Sequence, residues 1–428
     1  MSDLTKQSEE FYEQTDIKQR KEKGQYFTNN KIKKQCLKHV DLFDEMDILE
    51  NSCGTGEFID SILKLNHNVN IDAYDIDEVL VDIVSSTYPS VNSYCEDWLL
   101  NESDKKYDLI IGNPPYFELN KKQCKERGYE EFTRYSKSKA NIYSFFIQKS
   151  ITKLKPGGKL IYVVPTSMNN GYSFSPLRQF IVETCNIQHI ELFSDNEFDS
   201  AQQNVMILVL ERLNNDVNNS VNIFTRGDTT IFSNEYKKIE KMFEDKHSLE
   251  ELSFEVKTGN LVWNQNKSHI SRESSDMLLL WACNIVSNKV SLDLPKLSIQ
   301  PKDGEKIKTK HMKGQYIKYQ IIKPQEEAIQ TLKSDPLCGK CIIVNRVTGA
   351  GQNASVRAAI VNFGKKKYYI ENHLNYIKET TSSKISLESV HRQLVSKRTA
   401  KIIKLITGNT QLSQKELLKM IPFELDTE

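Results

Sequence analysis

The stretch DILENSCGTGEFIDSIL, residues 47–63, changes character in its middle. It begins as a short apolar strand, ends that strand at Glu50, passes through glycines at 54 and 56, and takes up helical periodicity from Glu57. A strand that turns through glycine into a helix opens a βαβ unit. Gly54 and Gly56 let the main chain approach a ligand closely, and the helix start offers unpaired N–H groups. A lone GxG is common turn chemistry, so its meaning rests on the residues at the ends of the neighbouring strands.

Working outward, strand-like runs fall at 46–50, 71–75, 91–94, 107–112, 159–164, 188–193 and 204–210, with helical periodicity at 30–40, 57–65, 77–87, 141–154 and 176–185. This alternation predicts an α/β domain with a mostly parallel sheet and helices on both faces, in which ligands bind beyond the carboxyl ends of the strands. The second strand ends in AYDIDE, where Asp75 can accept from ribose hydroxyls and Ile76 offers an apolar surface to a base. The third ends in YCEDWLL, where Asp97 can accept from an adenine amine and Trp98 can stack on the ring. There is neither a Lys-Ser/Thr phosphate loop nor a GxGxxG. A charged nucleoside without phosphate, such as S-adenosylmethionine, fits this set better than a phosphate-rich nucleotide.

The fourth strand, YDLIIG, runs into Asn113-Pro114-Pro115-Tyr116. At ordinary residue frequencies NPPY arises by chance on the order of once in a thousand chains of this length. An adenine exocyclic amine is a poor nucleophile because its lone pair is delocalised into the ring. If the Asn113 side-chain oxygen and the Pro114 carbonyl both accept from that NH2, the nitrogen moves toward tetrahedral geometry and its lone pair is freed. Positioning and oriented dipoles then carry the catalysis. The prolines fix φ and remove competing donors, and Tyr116 can stack on the planar group. An adenine in duplex DNA must leave the stack to be reached, which calls for a second apolar wall. Phe198, in a loop between two strands, is the candidate.

The chain has 428 residues, 38% hydrophobic and 27% charged, which predicts two domains of a soluble protein. No apolar run approaches the roughly 18 to 20 residues of a membrane span, and the polar N-terminus has no signal-peptide core. Eight scattered cysteines read as reduced thiols in a cytoplasmic setting, and the single CxxC pair, Cys338 and Cys341, lacks the second pair that a zinc site needs. No metal is expected. The net charge of +1 conceals an asymmetry: residues 251–428 hold 28 Lys/Arg against 17 Asp/Glu, while residues 1–250 are acidic. A basic second half suits a polyanionic partner, with Arg346, Asn353 and Arg357 as candidate base-contacting residues, although a solvated lysine-rich surface would look the same. Segment 211–235, rich in Asn and Asp, reads as a connector, with VNIF and TTIF as short strands within it. Beyond it come β-rich segments and two helical ones, 386–406 and 411–420. FEVK, residues 254–257, mimics half of a nuclease motif without a partner acid, so no cleavage activity is expected.

KGQYFTNN, LENSCGTGEF, DID, EDW, NPPY and NEFDSAQQNVMILVL together resemble the motif series of the TaqI-like N6-adenine DNA methyltransferases of the gamma arrangement. The likeness is clear over about residues 20–210. It implies a seven-stranded, doubly wound, Rossmann-like methyltransferase domain over 1–240 and a mixed α/β or β-rich DNA target-recognition domain over 241–428. It also implies S-adenosyl-L-methionine held by Tyr26, Phe27, Thr28, Glu50, Ser52, Gly54, Gly56, Asp75, Ile76, Asp97, Trp98 and Asn113. Asn113, Pro114, Pro115 and Tyr116 would be catalytic, with Tyr116 and Phe198 clamping the flipped adenine. The implied partner is double-stranded DNA, with a separately encoded restriction endonuclease as a biological companion and the enzyme a monomer. Asn29 and Asn51 stand where proline is usual in that family. Alternatives are methylation of a protein glutamine, whose amide presents a similar planar NH2, an RNA adenine target, and a non-catalytic DNA-binding relative.

Overall fold

The computed structural model describes residues 4–16, 28–136, 140–193, 204–214, 222–271, 273–292, 315–323, 328–346, 356–407 and 412–426. Tyr26, Phe27, Phe198 and Asn353 lie outside these residues. The chain divides into two compact units, Met1–Ile239 and Glu240–Glu428.

The first unit is built on a seven-stranded sheet. Its strands are β1 (Asp47–Glu50), β2 (Asn70–Asp75), β3 (Asn92–Cys95), β4 (Tyr107–Gly112), β5 (Leu154–Pro165), β6 (Cys185–Phe193) and β7 (Val205–Arg212), in the order β3-β2-β1-β4-β5-β7-β6. The first five run parallel, and β7 is antiparallel to both β5 and β6. The order reverses at β1, so right-handed crossovers place the helices before and after that point on opposite faces. This is the doubly wound architecture expected. Leu109, Ile110 and Ile111 of β4 have no measurable exposure, as a strand covered on both faces requires. The helices that bear on the site are α1 (Lys6–Gln14), α2 (Asn30–Leu37), α3 (Glu57–Leu65), α4 (Glu78–Thr87), α5 (Ile142–Lys153) and α6 (Ser175–Thr184), beside shorter ones such as Lys121–Glu126 and Ser167–Asn170.

The connector expected at 211–235 is instead part of the first unit. Ile223–Arg226 and Thr229–Phe232 pair as a hairpin. The Asn222 amide donates to the carbonyls of Ile187 and Gln188 at 3.0 Å each, and Arg178 Nε donates to the Thr230 carbonyl at 2.8 Å. The polar composition that looks like a linker supplies side-chain donors and acceptors that dock the hairpin.

In the second unit, strands Phe254–Thr258, Leu374–Glu379, Lys340–Asn345 and Ala358–Asn362 form an antiparallel sheet in that order. Alternation along KCIIVN sends Ile342 and Val344 into a core with the helices Leu387–Leu394, Lys397–Thr407 and Gln414–Lys419. Cys341 and Ile343 face a second core with Tyr368, Leu280 and Ile285. The late segment expected as one helix over 386–406 breaks at Val395–Ser396. The CxxC pair is split, with Cys338 exposed and Cys341 buried beside the Tyr368 hydroxyl at 3.2 Å.

Candidate active site

β1 and β4 are neighbours at the point where the strand order reverses, so the turns beyond Glu50 and Gly112 lie side by side. A cavity of about 740 Å3 opens there, lined by Thr28, Glu50, Ser52, Gly54, Asp75, Ile76, Asp97, Trp98, Asn113 and Pro115 among others. Residues expected from separate strand ends thus converge on one space.

The glycine loop is shaped by its backbone. Gly54 and Gly56 have φ of 54° and 85°, and a Cβ at Gly56 would sit 2.8 Å from the Tyr88 ring. Asp75 braces the loop, accepting from the N–H of Gly54 at 3.0 Å and of Asp77 at 3.1 Å. Its burial raises the carboxyl pKa above the ordinary value despite these bonds. Beside it, Ile76 keeps 69% of its surface exposed, an apolar face ready for a planar ring. Asp97 accepts from the Leu99 N–H at 3.1 Å and from the Tyr129 hydroxyl. Trp98 is buried, stacked on Phe146 at 5.8 Å, with the Lys149 ammonium 5.1 Å from its ring. Its ring is a packed wall of the cavity. Lys149 also donates to the Leu99 and Asn101 carbonyls, and burial lowers its pKa to about 8.

The two asparagines that replace family prolines have structural work. Asn29 caps α2, its side chain accepting from the Ile32 N–H at 3.0 Å. Asn51 donates to Ser150 Oγ at 3.0 Å and accepts from the Tyr162 hydroxyl at 2.8 Å, pinning the β1 turn to α5 and β5. Side-chain bonds here hold what a pyrrolidine ring would otherwise stiffen.

In the NPPY turn, Ser52 Oγ donates to the Asn113 carbonyl at 3.3 Å. Tyr116 is buried, packed edge-on against Tyr143, and its hydroxyl reaches both Asn113 Oδ1 and, at 2.7 Å, the Val163 carbonyl. One hydroxyl proton serves one acceptor at a time. Pro114 is buried, Asn113 and Pro115 are half-buried and reach the cavity, and Tyr116 stands behind them.

Two groups carry more than the sequence indicates. Glu57, which reads as an ordinary acid in a first helical turn, accepts through Oε1 from Thr5 N at 2.8 Å, Thr5 Oγ1 at 2.9 Å and Ser8 Oγ at 2.6 Å, and pairs through Oε2 with buried Lys33. One carboxylate therefore ties α1 and α2 to the glycine loop. Tyr129, whose partner Asp97 lies 32 positions away, has no local signal.

The cavity fits S-adenosylmethionine on its own chemistry. Among the described residues, eight carboxylate side chains and a single guanidinium, Arg127, line it, which favours a cation and opposes phosphate. Glu50 Oε2 is buried without a partner among the described residues. Burial, followed by repulsion from Glu57, pushes the Glu50 carboxyl well above its ordinary pKa, as befits an acceptor awaiting a cation. Glu50 and the glycine loop would hold the amino-acid end, Asp75 the ribose, and Ile76, Asp97 and Phe146 the base.

Residues 5–198 match the Eco57I restriction-modification methylase family. The chain is 24% identical over 286 residues to the type II methyltransferase M.CvrRI of Paramecium bursaria Chlorella virus XZ-6E, covering 67% of this chain and 74% of that protein. Modification methylase CviBIII of Paramecium bursaria Chlorella virus NC1A is 30% identical over 207 residues, covering 47% of this chain and about half (53%) of that protein. Type II methyltransferase M.BsuBI of Bacillus subtilis is 25% identical over 94% of this chain and 88% of its own length. The methylase match indicates S-adenosylmethionine as the cofactor. The resemblance to the DNA methyltransferases of restriction-modification systems that the motifs convey is thereby borne out, over residues 5–198, by the family match.

Proposed function

We propose that the protein methylates the exocyclic amine of an adenine flipped out of duplex DNA, in a sequence-specific manner, as the modification enzyme of a type II restriction-modification system. Residues 1–240 would perform the chemistry and 241–428 would recognise the target, with a monomer acting beside a separately encoded endonuclease. No helix among the described residues is long and apolar enough to cross a membrane.

The observation that carries this reading is the meeting of the NPPY turn with the acid-lined cavity through Ser52 and Asn113. Bound S-adenosylmethionine supplies an electrophilic methyl on a sulfonium. The protein's part is to orient and activate the nucleophile. Asn113 Oδ1 and the Pro114 carbonyl accept from the target NH2 and free its lone pair. When the amine arrives, the Tyr116 hydroxyl has the Val163 carbonyl as its other acceptor, so Asn113 Oδ1 can turn to the substrate without orphaning a buried O–H. Pro115 and Phe117 line the approach.

The test is incubation with mixed-sequence duplex DNA and S-adenosylmethionine, followed by mapping of modified bases. N6-methyladenine in one sequence context is the expected result. Methyl on cytosine, or transfer to a glutamine peptide in place of DNA, would replace the reading.

A further inference from the structure

One end of the four-stranded sheet in the second unit gathers cationic and polar groups from three adjacent strands. Arg346 follows the strand Lys340–Asn345, Arg357 precedes Ala358–Asn362, and His373 precedes Leu374–Glu379. Main-chain bonds lock them together: Arg346 N–H donates to the His373 carbonyl at 3.0 Å, and Asn345 N–H to the Arg357 carbonyl at 3.0 Å. Asn345 Oδ1 accepts in return from the Arg357 N–H at 2.5 Å.

The side chains differ in how they are held. Arg346 Nη1 donates to the Asn372 carbonyl at 2.8 Å, while its Nε is buried without a partner among the described residues. His373 bonds through Nδ1 to Glu371, whose side chain is 2% exposed, while the imidazole is 57% exposed. The buried carboxylate sets the ring's orientation and turns Nε2 away from itself. The 371–373 turn is rigid: a Cβ on Gly259 would lie 2.2 Å from the Glu371 carbonyl oxygen, and Asn372 N–H donates to the Leu261 carbonyl at 2.9 Å. Arg357, by contrast, is exposed and has no side-chain partner among the described residues.

We infer that this sheet end contacts DNA, with Arg346 and His373 reading base edges and Arg357 holding a phosphate. The inference rests on the proposed DNA substrate. Directional readout needs hydrogen-bonding groups fixed in advance, which Asn372 and Glu371 provide for Arg346 and His373. Guanidinium donors suit the O6 and N7 acceptors of a guanine in the major groove, and an imidazole whose Nδ1–H is held by Glu371 presents Nε2 as an acceptor for the exocyclic amine of adenine or cytosine. A phosphate asks only for charge within reach, which the exposed Arg357 offers. Glu371 is a positioning residue, acting through His373.

The experiment uses the full chain with S-adenosylmethionine and a randomised duplex pool, reading enriched sequences and the salt dependence of binding. Arg346→Lys and His373→Asn should each lose about tenfold or more discrimination at one base position, and Glu371→Gln should relax the same position as His373→Asn. Arg357→Ala should weaken all sequences alike and reduce the salt slope by about one. Wild-type enrichment patterns and slopes in all four variants would overturn the inference, as would a wild-type chain that binds no duplex. Altered enrichment in a chain that transfers no methyl would leave this surface standing and remove the proposed reaction.

Discussion

The Ser52 hydroxyl donates to the Asn113 main-chain carbonyl across 3.3 Å, so the loop that shapes the cofactor cavity and the turn proposed to activate the amine share a hydrogen bond. A long neutral bond of this kind contributes about 1 kcal/mol. Ser52→Ala should therefore lower kcat about fivefold, with cofactor affinity nearly unchanged because the glycine backbone is intact. Single-turnover methyl transfer together with calorimetric titration of S-adenosylmethionine separates the two effects. A loss confined to cofactor affinity would place Ser52 in binding alone.

Asn113→Ala removes the oxygen that the Tyr116 hydroxyl uses and that the proposed reaction gives to the target amine. Transfer should fall by at least a hundredfold, the scale of losing one preorganised acceptor. The buried tyrosine keeps the Val163 carbonyl, so the fold should hold. Thermal melting checks the second point; undiminished turnover would end the assignment of Asn113 to the chemistry.

Much of this arrangement is legible in the sequence for a physical reason. Strands buried on both faces, such as Leu109–Ile111, must be continuous apolar runs, and each must stop at a turn whose glycine, proline or acid is visible in the sequence. Glu50, Asp75 and Asn113 are found by that rule, Asp97 follows the short and largely exposed β3, and all four line the cavity. The rule is silent about contacts between residues far apart in the chain. Nothing near Tyr129 names Asp97, and nothing near Thr5 names Glu57, because both contacts arise only when separate segments pack. The 211–235 hairpin is obscured differently: amides such as Asn222 that bind main chain carry the composition of a linker.

Glu50 gives a pH signature. Its carboxyl holds a proton well above the unfolded value of 4.5, with burial the main cause. Above pH 4.5 the unfolded chain has released that proton while the fold retains it, so this group lowers stability as pH rises through the window above 4.5. Glu50→Gln, which cannot ionise, should match or exceed wild-type stability at neutral pH, and the gap should close as pH falls below 4.5. A cation that binds beside Glu50 draws its pKa down and releases the proton. Wild-type affinity for S-adenosylmethionine should accordingly rise with pH, while the glutamine variant binds more weakly and with a flatter profile. Equal pH profiles in the two proteins would remove Glu50 from the cofactor contact.

Lys33 and Glu57 form a buried ion pair, their side chains 3% and 5% exposed, but the two partners are unequally supported. Without Lys33, Glu57 keeps three donors from Thr5 and Ser8. Without Glu57, the Lys33 ammonium keeps no partner among the described residues. Removing one member of a buried pair costs about 3 to 5 kcal/mol when the other is stranded. Glu57→Ala should show that full loss, whereas Lys33→Met should cost clearly less, and the double variant should recover part of the Glu57→Ala deficit because no charge is left stranded. Urea unfolding at unchanged slope measures all three. Cofactor affinity should follow Glu57 more than Lys33, since only the carboxylate lines the cavity and anchors α1 beside the glycine loop. Equal losses from the two single substitutions would mean that the Thr5 and Ser8 bonds do not support the carboxylate.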